Sequence, residues 1–388
     1  MLLQALLSGC LALPVLAALP DPQAPSVALS SEAPAAPAAP DPAATVHRAL
    51  RGVHMTGWGA GSRKARQALI RGVKDSGLDT VVIALKEYDG LMFVRDVKLS
   101  KEIGAYVNAI PDLPAVVKDF KAAGIYTIAR IVMFKDNRLA RQRPDLAVHR
   151  PDGSLWTNDK GVAWVDPYRK EVWEYNLEIA ERAAAAGFDE IQFDYIRFPS
   201  DGPTRLCRYS RADHSPQTAA KALLEFLRLA RQRLKPLGVD LSIAVFGMTT
   251  TDDSGMGIGQ RISDMAREVD WISPMMYPSH YAKGEYGIKN PNREPYKTIS
   301  LGTRDAAARL GADAWKMRPY FQDFSLGVRY REEQVRAQIL AAKKNGVTSW
   351  LLWNAQNNYT WGAMRHNNRF IMDEPDAEGA DGSQEKKP

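Results

Sequence analysis

Eight short apolar runs, separated by stretches of helical period, set the pattern of this chain. They lie at 52–58, 80–86, 126–134, 190–198, 240–247, 271–277, 317–324 and 349–354. Each is rich in β-branched or aromatic residues and bounded by Gly, Pro, Asp or Asn, so each reads as a buried strand. Between them the period changes to that of a helix. Ser62 opens a helix over 62–76 that stops at Gly77, and further helices cover 114–123, 167–186, 217–235 and 331–345. Gly or Pro follows each of them, as a helix C-terminus prefers. The junction from helix to strand recurs as GLDTVVIA, GIYTIAR, GFDEIQF, GVDLSIA and GVTSWLL.

Strands alternating with helices predict an α/β protein with a parallel sheet. Eight such units predict a (β/α)8 barrel, a single domain over 47–372. A doubly wound sheet would place a Gly-rich phosphate loop after the first strand, and none is there. The long insertions follow the second, third, fourth and sixth strands, on the side where a barrel keeps its active-site loops.

The ends of the chain read differently. Residues 1–19 are apolar, uncharged and end in small residues, the pattern of an export signal without its usual basic start. Leu7-Ser8-Gly9-Cys10 resembles a lipoprotein cleavage box, which would tether the protein to a membrane through a lipidated Cys10. The short lead before Cys10 and the apolar run after it weigh against that. Residues 20–46 are rich in Pro and Ala and read as an extended linker, while 373–388 read as a polar tail without a core. The expected location is therefore periplasmic or secreted. With the signal removed, Cys207 is left without a disulfide partner. The formal charge of +6 comes from interleaved acids and bases rather than from a basic face, which argues against a nucleic-acid partner.

Function in a barrel sits at the C-terminal strand ends. Acids occur there: Asp194 inside FDEIQFDYIRFP, Asp323 after the seventh strand and Glu87 after the second. A carboxylate on an apolar strand is costly unless paired or used. Aromatic and polar residues accompany them at Tyr195, Tyr277, Tyr281, Trp353, Gln192, Arg197, His280, Asn354 and His54. Acids among aromatics suit a sugar site. Glycosidic cleavage takes one carboxyl to protonate the leaving oxygen and another to attack or to activate water. The rings offer flat faces to pyranoses, and the polar groups bind hydroxyls.

Asp194 is the first choice as nucleophile or stabilising anion, sharing the lumen face with Gln192 by strand alternation. The plainer reading makes it a structural acid held by Arg197 or Lys86. Asp323 is the preferred second acid, against a loop Asp that caps a turn. Glu87 rivals it, against an ion pair with Lys86 or Lys135. His280 and Tyr281 line the cleft or pack a loop, His54 binds substrate or fills the core, and Trp353 stacks on sugar or packs. The Asp252-Asp253 pair reads as a turn. Neither a paired-His motif nor a His/Cys cluster of zinc spacing is present, so no metal and no cofactor is expected.

The segments FDEIQFDYIRFPSDG, ISPMMYPSHY, QDF at 322–324 and WLLWNAQNNY together resemble the bacterial glycoside-hydrolase domain family of glycosidase-like TIM barrels. The resemblance runs over 52–370. It implies a glycosidase-type barrel with Asp194 in the motif's acidic position and Asp323 in the second, and it does not imply a substrate. Together with the acids and aromatics at the strand ends, the expected partner is a polysaccharide or oligosaccharide. A non-catalytic carbohydrate-binding barrel is the competing class, and a metal-dependent deacetylase or esterase the more remote one.

Overall fold

A computed structural model describes residues 48–373 apart from 253, 367 and 368. The expected signal, the linker, Cys10 and the tail beyond Asp373 lie outside the described residues.

The apolar runs pair in chain order into a closed parallel barrel. Its strands are β1 Arg51–Met55, β2 Thr80–Lys86, β3 Tyr126–Val132, β4 Glu190–Asp194, β5 Asp240–Phe246, β6 Trp271–Met276, β7 Tyr320–Gln322 and β8 Trp350–Trp353. β8 closes on β1 through Arg51 opposite Trp350. The fold is the expected (β/α)8 barrel.

The helices Arg63–Asp75, Leu113–Ala122, Lys170–Ala185, Pro216–Leu234 and Glu332–Lys344 fall within a few residues of their expected ranges. Ser62 caps the first of them by accepting from the Ala65 N–H. One long helix was not predicted. Pro295–Leu310, between β6 and β7, begins in Pro-rich sequence and carries Gly302 mid-length, so its pattern reads as loop. Among the described residues no helix is long and apolar enough to cross a membrane.

Several strands end earlier than their apolar runs, and two of the early ends have a local cause. Thr56 turns the chain out of β1 by capping the short helix Gly57–Gly61, accepting from the Gly59 N–H. β4 stops at Asp194 because Tyr195 takes the left-handed conformation, φ 49°. For a residue with a side chain that conformation costs about 1–3 kcal/mol and persists where the surroundings impose it.

Two apolar cores follow from strand alternation. The larger lies between the barrel and its helices, with Val53, Ile83, Ile191, Phe193 and Ile243 pointing outward. The lumen holds Val82, Ile128, Ala244, Tyr320 and Leu351. Gln192 crosses this layer, donating to Ser242 Oγ at 3.2 Å and accepting from the Tyr320 hydroxyl at 2.5 Å. Below it, the carboxylate of Glu190 is bridged by the guanidinium of Arg318, both fully buried. Among the described residues the lumen is therefore filled by side chains, and the candidate site is its upper mouth.

Candidate active site

The mouth of the barrel is a cleft of about 770 Å³. Asp194, Asp323 and Arg130 line it, together with the rings of Tyr195, Tyr277, Phe324 and Trp353.

Asp194 is fixed by three hydrogen bonds from two residues. Arg130 donates to one carboxylate oxygen from Nε at 2.8 Å and from a terminal nitrogen at 2.6 Å. The other oxygen accepts from the Tyr195 N–H at 2.6 Å, a bond the left-handed Tyr195 makes possible. Arg130 also reaches Glu87, at 3.1 Å. One guanidinium thus serves two acids. Burial alone would lower the Arg130 pKa, but Asp194 and then Glu87 outweigh it and raise it. The charge on Arg130 is secure, and it lies 4.9 Å from the Trp353 ring centre.

Asp323 comes from the turn after β7. In an extended strand its parity would match Phe321, which packs outward. Because β7 ends at Gln322, the side chain instead meets the cleft. Thr360 holds it, donating from its N–H at 2.8 Å to one oxygen and from its hydroxyl at 2.6 Å to the other. Burial raises the Asp323 pKa, and the two Thr360 bonds offset that only in part. The two acids of the cleft therefore differ. One is paired with a guanidinium, and the other is biased toward its protonated form. Two carboxyl groups in such different surroundings can divide acid and base roles between them.

Residues 52–359 match the family described as a putative glycosyl hydrolase domain. The chain belongs to this family. No curated protein matches the sequence. A hypothetical protein of known structure from Ruminiclostridium thermocellum ATCC 27405 is 34% identical over 49% of this chain and 96% of that one, with a TM-score of 0.45. The glycoside hydrolase domain of PgaB (BpsB) from Bordetella bronchiseptica covers 80% of this chain and 95% of its own at 14% identity, with a TM-score of 0.61. The C-terminal domain of a putative chitinase from Desulfitobacterium hafniense DCB-2 covers 79% and 94% at 11% identity, with a TM-score of 0.51. The last two share the barrel fold with this glycosyl hydrolase domain.

Within the domain, the residues singled out in the sequence divide into two groups. Asp194, Asp323, Arg197, Tyr195, Tyr277, His280, Trp353 and Asn354 all line the cleft. His280 is lowered in pKa by burial, and its ring meets Tyr277 and Phe324 edge-on. Asn354 donates to the Asp323 backbone carbonyl at 2.5 Å and so braces the acid's turn.

Glu87, Gln192, Tyr281 and His54 are not among the cleft residues. Glu87 turns to Arg130 rather than to Lys86 or Lys135. Lys86 points away into the helix layer, where it pairs with buried Asp136 at 2.8 Å. Gln192 shares the lumen face with Asp194 but lies a layer deeper, consumed by its hydrogen bonds. Tyr281 is buried against the unpredicted helix, where a Cβ on Gly302 would sit 3.0 Å from its hydroxyl; the missing side chain makes the room. His54 is buried behind Trp353, with ring centres 4.0 Å apart. Burial, then the charge of Arg130, holds its pKa well below the usual histidine value, so it is a neutral core residue at pH 7.

Arg130 is the site residue that sequence reading missed. The apolar run of β3 continues to Phe134, so its end was placed near Lys135, whereas the strand stops at Val132. The available signal was the one that marked Asp194: a lone charge within an apolar strand, YTIARIV. Thr360 carried no such signal, because its role depends on a contact made 37 residues away along the chain. Among the described residues no group of three or more His, Cys, Asp or Glu side chains is arranged to hold a metal ion.

Proposed function

We propose that this protein is an exported glycoside hydrolase that cleaves a polysaccharide, using Asp194 and Asp323 as its two carboxyl groups. The observation that carries this reading is the presence of both acids on one aromatic-lined cleft in opposite electrostatic settings. Asp323, biased toward the protonated form, gives its proton to the glycosidic oxygen as the bond to the anomeric carbon breaks. Asp194, paired with Arg130, faces the positive charge that develops on the sugar ring, as nucleophile or as stabilising anion. Water supplies the hydroxyl of the new reducing end, and its other proton restores the carboxyl of Asp323.

The cleft volume favours a glycan over a single small sugar, being within the range of sites that enclose a sizeable ligand. Trp353, Tyr277 and Phe324 offer faces for pyranose rings. Two fold relatives, described as a glycoside hydrolase domain and as the C-terminal domain of a putative chitinase, support the hydrolase reading. The apolar segment 1–19 supports export.

Wild-type protein and Asp194→Asn are to be incubated with a panel of bacterial cell-wall and exopolysaccharide fractions and assayed for new reducing ends. On any substrate that the wild type cleaves, Asp194→Asn is expected to lose on the order of 10³-fold or more in rate. Equal rates for the two proteins would remove Asp194 from the mechanism.

A further inference from the structure

Among the described residues, the cations that are almost wholly buried have partners, with one exception. Arg66 pairs with Asp119, Lys86 with Asp136, Arg130 with Asp194 and Glu87, and Arg318 with Glu190. Arg197 is only 6% exposed, yet among the described residues it has no carboxylate in ion-pair contact. Its one protein hydrogen bond runs from Nε to the Ser200 hydroxyl at 3.2 Å, and one terminal nitrogen is buried without any partner. The neighbouring cation Lys135 is matched by Asp201, at 3.4 Å.

Arg197 is nevertheless held firmly. Its guanidinium carbon lies 4.4 Å from the Tyr195 ring centre and 5.6 Å from that of Phe246, and all three residues line the cleft. Ring faces steady a cation but leave its in-plane N–H donors unsatisfied. A buried guanidinium with most of its donors unused is costly unless an anion completes it. Such a fork suits an oxyanion.

The ion pairs around the cleft indicate what kind. Arg130 is shared by Asp194 and Glu87, and Lys135 is matched by Asp201. Arg197 is the cation there without a carboxylate partner among the described residues, and a single guanidinium fork matches a single anionic group. We propose that Arg197 binds one singly charged oxyanion on the substrate, a uronic-acid carboxylate or a sulfate ester, so that the polysaccharide taken by this cleft is acidic. The inference rests on the glycan reading of the same cleft. It concerns recognition, so binding tests it apart from cleavage.

The experiment is calorimetric binding of defined oligosaccharides at low salt. Oligogalacturonate, alginate and hyaluronan oligomers are each compared with their carboxyl-reduced forms, and carrageenan and heparin oligomers with their desulfated forms. Wild-type protein is expected to bind at least one acidic member about tenfold or more tightly than its neutralised counterpart. The carboxyl-reduced and desulfated arms show which anion is read. Arg197→Met is expected to abolish that preference while keeping binding to the neutral form. Arg197→Lys, which keeps the charge without the fork, is expected to retain part of it, and unchanged thermal unfolding of both variants is the check on folding. Neutral forms binding as tightly as acidic ones throughout the panel overturns the inference. So does a preference that survives in Arg197→Met, or a panel in which no acidic member binds. A preference without cleavage would leave the inference standing and remove the hydrolase reading. Asp194-dependent cleavage of neutral glycans alone would do the reverse.

Discussion

Arg130 ties the two acids of β2 and β4 together, and its placement separates the roles of the site's carboxyl groups. Glu87 is paired with that guanidinium and is not among the cleft residues, while Asp194 meets the cleft directly. Asp323 is set apart by burial. Its raised pKa has a definite consequence for pH dependence. A general acid works only while protonated, so the rate should fall as pH rises through the raised Asp323 value. In Asp323→Asn that descending limb should disappear from the pH profile of kcat/KM, at a rate lowered about 10²-fold or more. A limb of unchanged position in Asp323→Asn would assign the acid elsewhere. The same shift bears on stability. The folded state holds this proton more tightly than the unfolded chain does. The stabilisation is therefore fully present below the ordinary carboxyl range and is lost as pH rises through the raised value. At this scale the sequence made Asp194 legible because a charge stands out in an apolar strand. It hid Thr360 and the burial of Asp323, which depend on a turn and on a loop from β8.

Strands and helices were legible nearly to their ends, since buried parallel strands read as unbroken apolar runs. The departures were local. A capping Thr56 and a left-handed Tyr195 ended strands that hydrophobicity alone would extend. Gly302 disguised a helix and also made space for Tyr281, so one unread element misplaced one candidate site residue. At the base of the lumen, the Glu190–Arg318 pair links β4 to the segment leading into β7. Burial raises the Glu190 pKa, with Arg318 opposing it, so the acid depends on its partner to remain charged. Removing one member strands the other. Arg318→Met is expected to cost about 3–5 kcal/mol in urea unfolding, and pairing it with Glu190→Gln should recover a substantial part. Costs that simply add in the double variant would show that the two side chains act independently.

Over the whole molecule, closing eight strands fills the lumen with side chains and leaves one open mouth. Residues from β3 to β8 and the loops that follow them meet there, although Arg130 and Thr360 lie 230 positions apart in the chain. The barrel was legible because it follows from repeated local pattern. The cleft's membership was legible only in part, because depth in the lumen decides whether a residue such as Gln192 or Asp194 reaches the substrate, and alternation gives the face but not the depth. The central claim is that this mouth breaks glycosidic bonds through Asp194. Its most direct test is digestion of the glycan selected from the panel in ¹⁸O-enriched water, read by mass spectrometry. The account predicts ¹⁸O in the new hydroxyl of the products made by wild-type protein and none above background with Asp194→Asn. Product labelled equally by both proteins, or glycan left intact by the wild type across the whole panel, would contradict it.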